Sequence, residues 1–93
     1  VTGGHGFVGS HLVDALRTVS GIMLCAPTRA ECDLRDQDAV RRLFDHVRPH
    51  VVFHLAANVG GIGANQENPA RFMFDNLQMG LCVIDEAHQS SVE

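Results

Sequence analysis

Lysine is missing from this 93-residue chain, and its seven basic residues are all arginine, scattered along the sequence. With a net charge of −4 and no basic stripe, the chain does not suit a protein that tracks a phosphate backbone. No nucleic-acid partner is expected. The longest apolar run is too short to span a bilayer, and no signal peptide is visible. A cytoplasmic protein with no membrane partner is therefore expected. Cysteine is scarce: Cys25, Cys32 and Cys82 are an odd number at wide spacing, with no CxxC pair. That argues against a disulfide framework and a zinc knuckle, leaving reduced thiols and no metal. There are no repeats, low-complexity tracts or linker-like stretches.

What is present suits one compact unit. Hydrophobic residues make up 45% and charged residues 19%, which permits a core. A unit of this length still buries a limited share of its surface and is marginal alone. The chain starts at Val1-Thr2-Gly3 without an initiator Met and ends at Ser91-Val92-Glu93 after a helical pattern. The expectation is a piece of a longer protein, with the substrate-binding domain outside residues 1–93.

Short apolar runs alternate with helical periodicity, the pattern of a parallel α/β sheet. Val1-Thr2 reads as the end of a first strand, and a glycine-rich turn follows. Val8, Leu12, Leu16 and Val19 then recur at helical spacing with Val13 beside them, and this helix is expected to stop near Ser20-Gly21. Ile22 to Cys25 reads as a strand buried on both faces, ended by Pro27, and Glu31 to Leu34 as a further brief strand. Asp36 is a plausible N-cap for a helix whose stripe is Val40, Leu43, Phe44 and Val47. Pro49 stops it. Val51 to Ala56 reads as the next buried strand, and Gly60, Gly61 and Gly63 as a loop. Pro69 opens a last helix to about His88. Phe72, Phe74, Leu77, Leu81, Val83 and Ile84 make it apolar on more than one side, so it is sandwiched or meets a partner.

Gly3-Gly4-His5-Gly6-Phe7-Val8-Gly9 fits G-x-x-G-x-x-G between a strand end and an amphipathic helix. A turn this tight needs residues without side chains. Gly6 lets the backbone approach a pyrophosphate, and Gly9 lets the helix sit close to the strand. The helix N-terminus offers free N–H groups and a positive dipole end. The expected fold is thus a Rossmann-like, doubly wound parallel sheet, incomplete, with residues 1–93 forming the N-terminal half of a dinucleotide-binding domain.

An acid shortly after the second strand would bond a ribose 2′-hydroxyl and repel a 2′-phosphate. The stretch Cys25-Ala26-Pro27-Thr28-Arg29 has none before Glu31. Arg29 can hold a phosphate in a forked geometry, and His5 offers a second donor, so NADP is preferred over NAD. Asp33 can accept from an adenine amino group while Leu34 packs on the ring.

Thr2 to Ser10 resembles the opening motif of the extended short-chain dehydrogenase/reductases. Asp33-Leu34-Arg35-Asp36 resembles their adenine-edge motif. His54-Leu55-Ala56-Ala57 resembles the strand end that passes beneath the cofactor, which implies contacts from Ala56 and Ala57. The run Val59 to Asn65, with Asn68-Pro69-Ala70 and Asp75-Asn76-Leu77, is similar to the GDP-L-fucose synthase family. The sequence departs from that family at Asn58, where many members carry Lys, and at His5, where many carry Arg.

This resemblance implies an oxidoreductase and isomerase that epimerises and then reduces GDP-4-keto-6-deoxy-mannose with NADPH. It implies a GDP-sugar substrate and a homodimer built through Phe72 to Ile84. It also implies a catalytic Tyr-x-x-x-Lys pair with a Cys and a His. The chain has no Tyr and no Lys, and its cysteines do not match the catalytic position, so no catalytic residue is expected within it. His54 reads as a buried strand-end residue rather than a base. Asn65 lies near the substrate by resemblance alone. Residues 1–93 by themselves are expected to be poorly stable and inactive. Two alternatives stand beside this reading: another nucleotide-sugar epimerase or dehydratase of the superfamily, and a non-catalytic NADP sensor on the same half-fold.

Overall fold

A computed structural model describes residues 1–60 and 67–93. Gly61, Ile62, Gly63, Ala64 and Asn65, the heart of the glycine-rich run, lie outside the described residues. The described residues form three helices: α1 (Phe7–Arg17), α2 (Gln37–Val47) and α3 (Pro69–Gln89). No helix among the described residues is long and apolar enough to cross a membrane.

Helix α1 buries Gly9 and Val13, one turn apart. The expected stripe is not the buried one, since Val8 and Val19 are exposed and Leu12 and Leu16 only half-buried. Gly9 has no side chain, so its face closes on the turn and carries Val13 inward. The helix also ends earlier than expected. The Thr18 hydroxyl donates to the Ala15 carbonyl at 2.7 Å, and the amides of Thr18 and Val19 reach back to Ala15 and Leu16. Such a side chain offers the last turn an alternative to continuing. Gly21, with φ of 79°, shapes the turn beyond rather than the stop.

Helix α2 follows its sequence signals. The Asp36 carboxylate accepts from the amides of Asp38 and Ala39, giving two otherwise unpaired donors a partner. Val40 and Phe44 are buried one turn apart, each burial contributing roughly 1.5–3 kcal/mol. Arg48 closes the helix in the left-handed region, with φ of 48°.

Pro69 occupies the first turn of α3, where the donor it lacks has no partner to lose. The two-sided character expected of α3 is observed. Cys82 and Val83 are buried, while Phe74, Leu77, Leu81 and Ile84 remain exposed.

The sheet departs most from expectation. Among the described residues, pairing is limited to one parallel bridge between Thr2 and His54. The Thr2 amide donates to the Phe53 carbonyl at 2.9 Å, and the Leu55 amide donates to the Thr2 carbonyl at 3.1 Å. On the other side, the Val1 nitrogen donates to the Cys25 carbonyl at 2.7 Å. Val1-Thr2 therefore lies between the two segments expected as buried strands. A ladder needs a run of paired residues, and a single bridge does not make one. Ile22 to Cys25 and Val51 to Ala56 stay extended without becoming strands. Glu31 to Leu34 is no strand either: the amides of Glu31 and Cys32 both donate to the Thr28 carbonyl, and Asp36 donates to Asp33.

The segment from Val51 to Val59 is not buried on both faces. Its exposure alternates, with Val51, Phe53, Leu55 and Val59 exposed, the period of an extended chain covered on one side. Val52 and Ala56, on the covered side, pack on the core of Cys32, Leu34, Val40, Phe44, Cys82 and Val83. That core sits between α2, α3 and this segment, and no residue of α1 belongs to it.

Candidate functional site

The glycine-rich turn is shaped by contacts of its own backbone. Gly3 has φ of 69°, and a Cβ there would lie 2.6 Å from the Ala56 nitrogen and 2.7 Å from the Leu55 oxygen. Both conformation and space require glycine. Its carbonyl accepts from the Gly6 amide at 3.0 Å. A Cβ on Gly9 would run into the Gly3 carbonyl and lie 2.8 Å from the Gly4 Cα, so α1 rests directly on the turn. Gly6, the extended residue at the head of α1, is different. A Cβ there would meet only the Gly3 oxygen, at 3.3 Å, and otherwise points into open space.

That space is a cavity of about 460 Å³. Gly3, Gly6, Phe7, Val8 and Gly9 form one wall; Arg29, Asp33 and Leu34 form the second; Ala56 and Ala57 form the third. Among the residues singled out from sequence, Gly4 and His5 stay off its wall. Gly4 is buried against Val13 and Ala26. His5 does not stand free as a phosphate donor: its Nε2 donates to the Ala26 carbonyl at 3.0 Å, tying the turn to the neighbouring extended segment.

The polar groups of the second wall have distinct surroundings. Arg29 is exposed and has no ion-pair partner among the described residues. Glu31 is occupied by its own turn, accepting from the Thr28 amide at 2.7 Å and the Thr28 hydroxyl at 2.8 Å. These bonds hold its carboxyl below the ordinary range. Asp33 is gripped in a fork by Arg35, with Nε to Oδ1 at 3.0 Å and Nη2 to Oδ2 at 2.7 Å. The grip keeps Asp33 ionised far below the usual carboxylate range; with Oδ1 also accepting from the Arg35 amide at 3.1 Å, it leaves Oδ2 a further acceptor site. Leu34 lines the cavity but is also a core residue.

Sequence reasoning missed Arg35, Asp75 and Met79 as wall residues, and placed Asn58 only as a departure from the family pattern. Asp75 is only 4% exposed and accepts from Asn58 at 3.1 Å, Arg71 at 3.3 Å and Arg35 at 3.5 Å. Burial alone raises its pKa, but these donors and cations outweigh it and hold the group below its ordinary value. The available signals were an acid inside a largely apolar helix and its place in the family-like run Asp75-Asn76-Leu77. Asn76 pairs reciprocally with the Asn58 backbone, its Oδ1 accepting at 2.6 Å and its Nδ2 donating at 3.0 Å, so residue 58 is fixed from α3.

His54 is half-buried, with Nδ1 2.7 Å from the Thr2 hydroxyl. Burial pushes its pKa down, and it stands off the cavity wall. Burial likewise pushes the Cys32 thiol up, away from the reactive thiolate. No metal-ligating cluster is found among the described residues.

The geometry has close counterparts. A GDP-L-fucose synthase of Azorhizobium caulinodans is 41% identical over 92 residues, covering 99% of this chain and 29% of that protein. The Escherichia coli GDP-L-fucose synthase is 37% identical, again over 99% of this chain and 29% of that protein. This chain thus spans under a third of the length of these curated relatives. Among solved structures, a GDP-mannoheptose C4 reductase from Campylobacter jejuni with NADP bound superposes with a TM-score of 0.89 at 33% identity, covering 98% of this chain and 29% of that one. The NAD dependent epimerase/dehydratase family matches residues 1–93, the whole length over which the glycine turn, the Asp33-Leu34 wall and the Ala56-Ala57 wall are assembled, and the chain belongs to that family.

Proposed function

We propose that the cavity is the site of NADP, and that the protein carrying this chain is an NADP-dependent nucleotide-sugar epimerase and reductase of the GDP-L-fucose synthase type. The observation that carries this reading is Gly6: a bare backbone position at the head of α1, facing open space beside an arginine with no ion-pair partner among the described residues. Gly3, Gly6, Phe7, Val8 and Gly9 receive the diphosphate, aided by the N–H groups of the first helical turn. Arg29 receives the 2′-phosphate, Asp33 and Leu34 the adenine, and Ala56 and Ala57 the portion that runs on toward the nicotinamide. Glu31, an acid that could repel a 2′-phosphate, is already engaged by Thr28.

When bound, the cofactor supplies hydride chemistry. This chain's own part is to bind and orient. It contains no Tyr and no Lys, so the acid–base step on the keto-sugar falls to residues elsewhere in the protein. A GDP-4-keto-6-deoxy-mannose substrate is favoured by the names of the GDP-L-fucose synthase relatives. The similarity to a solved C4 reductase of a GDP-heptose favours reduction of a different GDP-keto-sugar as the second reading. The exposed row Phe74, Leu77, Leu81 and Ile84 on α3 supports a homodimer, within a cytoplasmic enzyme.

The test is equilibrium binding of NADPH and NADH to the full-length protein, followed by turnover of GDP-4-keto-6-deoxy-mannose with each. Tighter binding of NADPH and consumption of the sugar are expected. Failure to bind either dinucleotide would overturn the reading, and binding with turnover only of a GDP-heptose would move it to the second.

A further inference from the structure

Asp75 has no role in the function proposed above, yet it is among the most buried polar residues and lies where two walls of the cavity meet. Arg35 holds both oxygens of Asp33 and extends Nη1 to Asp75 Oδ2 at 3.5 Å. The same Asp75 oxygen accepts from the Asn58 side chain at 3.1 Å. On the far side of this cluster a second cavity opens, and Asp33, Arg35 and Asp75 line that one too. The cluster is therefore a thin partition with open space on both sides. The Arg35 head is held there by its two carboxylate partners. A guanidinium held by one carboxylate can pivot about it; held by two, it is fixed in direction.

We infer that Asp75 is a positioning residue for the adenine end of the site, aiming the Asp33 carboxylate through Arg35 and tying the Asn58 wall to the same anchor. This rests on the dinucleotide reading, in which Asp33 meets the adenine. Asp75 itself touches no ligand in this scheme. Its effect passes through Arg35, so it has nothing to act on once Asp33 no longer carries a carboxylate.

The experiment is a double-mutant cycle in the full-length protein, with 2′,5′-ADP as the probe of the adenosine half-site. Asp75→Asn keeps the shape and removes the charge. It is expected to weaken 2′,5′-ADP by about tenfold, as is Asp33→Asn, while the double variant binds no worse than the weaker single one. Residues acting on the ligand through one another give such non-additive losses, whereas a general loosening of the fold gives additive ones. Arg35→Met breaks the relay from a less buried position and is expected to show the same loss, which covers the case in which Asp75→Asn does not fold. Additive losses, or unchanged affinity in Asp75→Asn or Arg35→Met while the wild type binds, would overturn the positioning role. A wild type that does not bind 2′,5′-ADP would instead overturn the dinucleotide reading and this inference with it.

Discussion

Gly9 of α1 rests against the carbonyl of Gly3, so that a methyl group on Gly9 would occupy the place of that oxygen. Gly6, between them in sequence, faces outward with only the Gly3 oxygen at 3.3 Å from a built Cβ. Two glycines of one motif therefore differ in surroundings, one packing the chain on itself and the other bordering the cavity proposed to take the dinucleotide. Gly9→Ala is expected to destabilise the fold by about 1–3 kcal/mol through overpacking, seen as a lowered thermal midpoint. Gly6→Ala is expected to leave that midpoint near the wild type and to weaken dinucleotide binding. Equal loss of stability in both variants would refute this division.

Arg29 offers its charge to the cavity with no competing ion pair among the described residues. A charge-assisted hydrogen bond contributes about 1.5–3 kcal/mol, so Arg29→Ala is expected to weaken NADPH by roughly 10- to 100-fold. NADH, which lacks the 2′-phosphate, is expected to lose little. Titration calorimetry with both cofactors reads the difference, and an equal loss for both would remove phosphate recognition from Arg29.

The pH dependence of stability has a defined sign at His54. Burial lowers its folded-state pKa. Above the ordinary histidine value of about 6.5 both states are neutral and the residue contributes nothing. Below it, the unfolded chain takes up a proton that the folded chain resists, so stability falls as the pH drops. Asp33, with its pKa lowered by Arg35, acts in the same direction further down: its stabilisation is present above the ordinary carboxylate pKa and is lost below it. Thermal midpoints measured from about pH 8 to about pH 5.5 should fall more steeply for the wild type than for His54→Asn. Parallel curves would exclude a contribution from His54.

Leu77 and Leu81 project one turn apart from the exposed side of α3. Charges placed there are expected to break the proposed homodimer. Leu77→Asp with Leu81→Asp should convert the full-length protein to a monomer by light scattering while α3 keeps its helicity. An unchanged mass would show that this face is covered by another part of the same chain.

What could be read from sequence divides by the distance over which the interaction acts. The Asp36 cap and the Val40–Phe44 pair of α2 depend on neighbours within one or two turns, and both are found where the pattern put them. Pro69 marks the start of α3 for the same reason. The apolar run Ile22 to Cys25 carried the composition of a buried strand, but strand formation needs a run of paired residues, and the pairing seen among the described residues is the contact of Val1 with Cys25. The His5 contact with Ala26 and the Arg35 contact with Asp75 join residues far apart in sequence. Neither has a local signature, so neither contact was legible in the sequence.

The buried cluster lies between α2, α3 and the segment carrying Val52 and Ala56, while α1 is fastened mainly through Gly9 and Val13. The helix proposed to present the diphosphate site thus stands outside the buried cluster among the described residues. A ligand bridging α1 to the opposite wall would act as a clasp, adding about 2.7 kcal/mol at a hundredfold excess over its dissociation constant. If the proposed dinucleotide is that clasp, its removal is expected to lower stability at α1 first, because an empty clasp leaves this helix free to peel away.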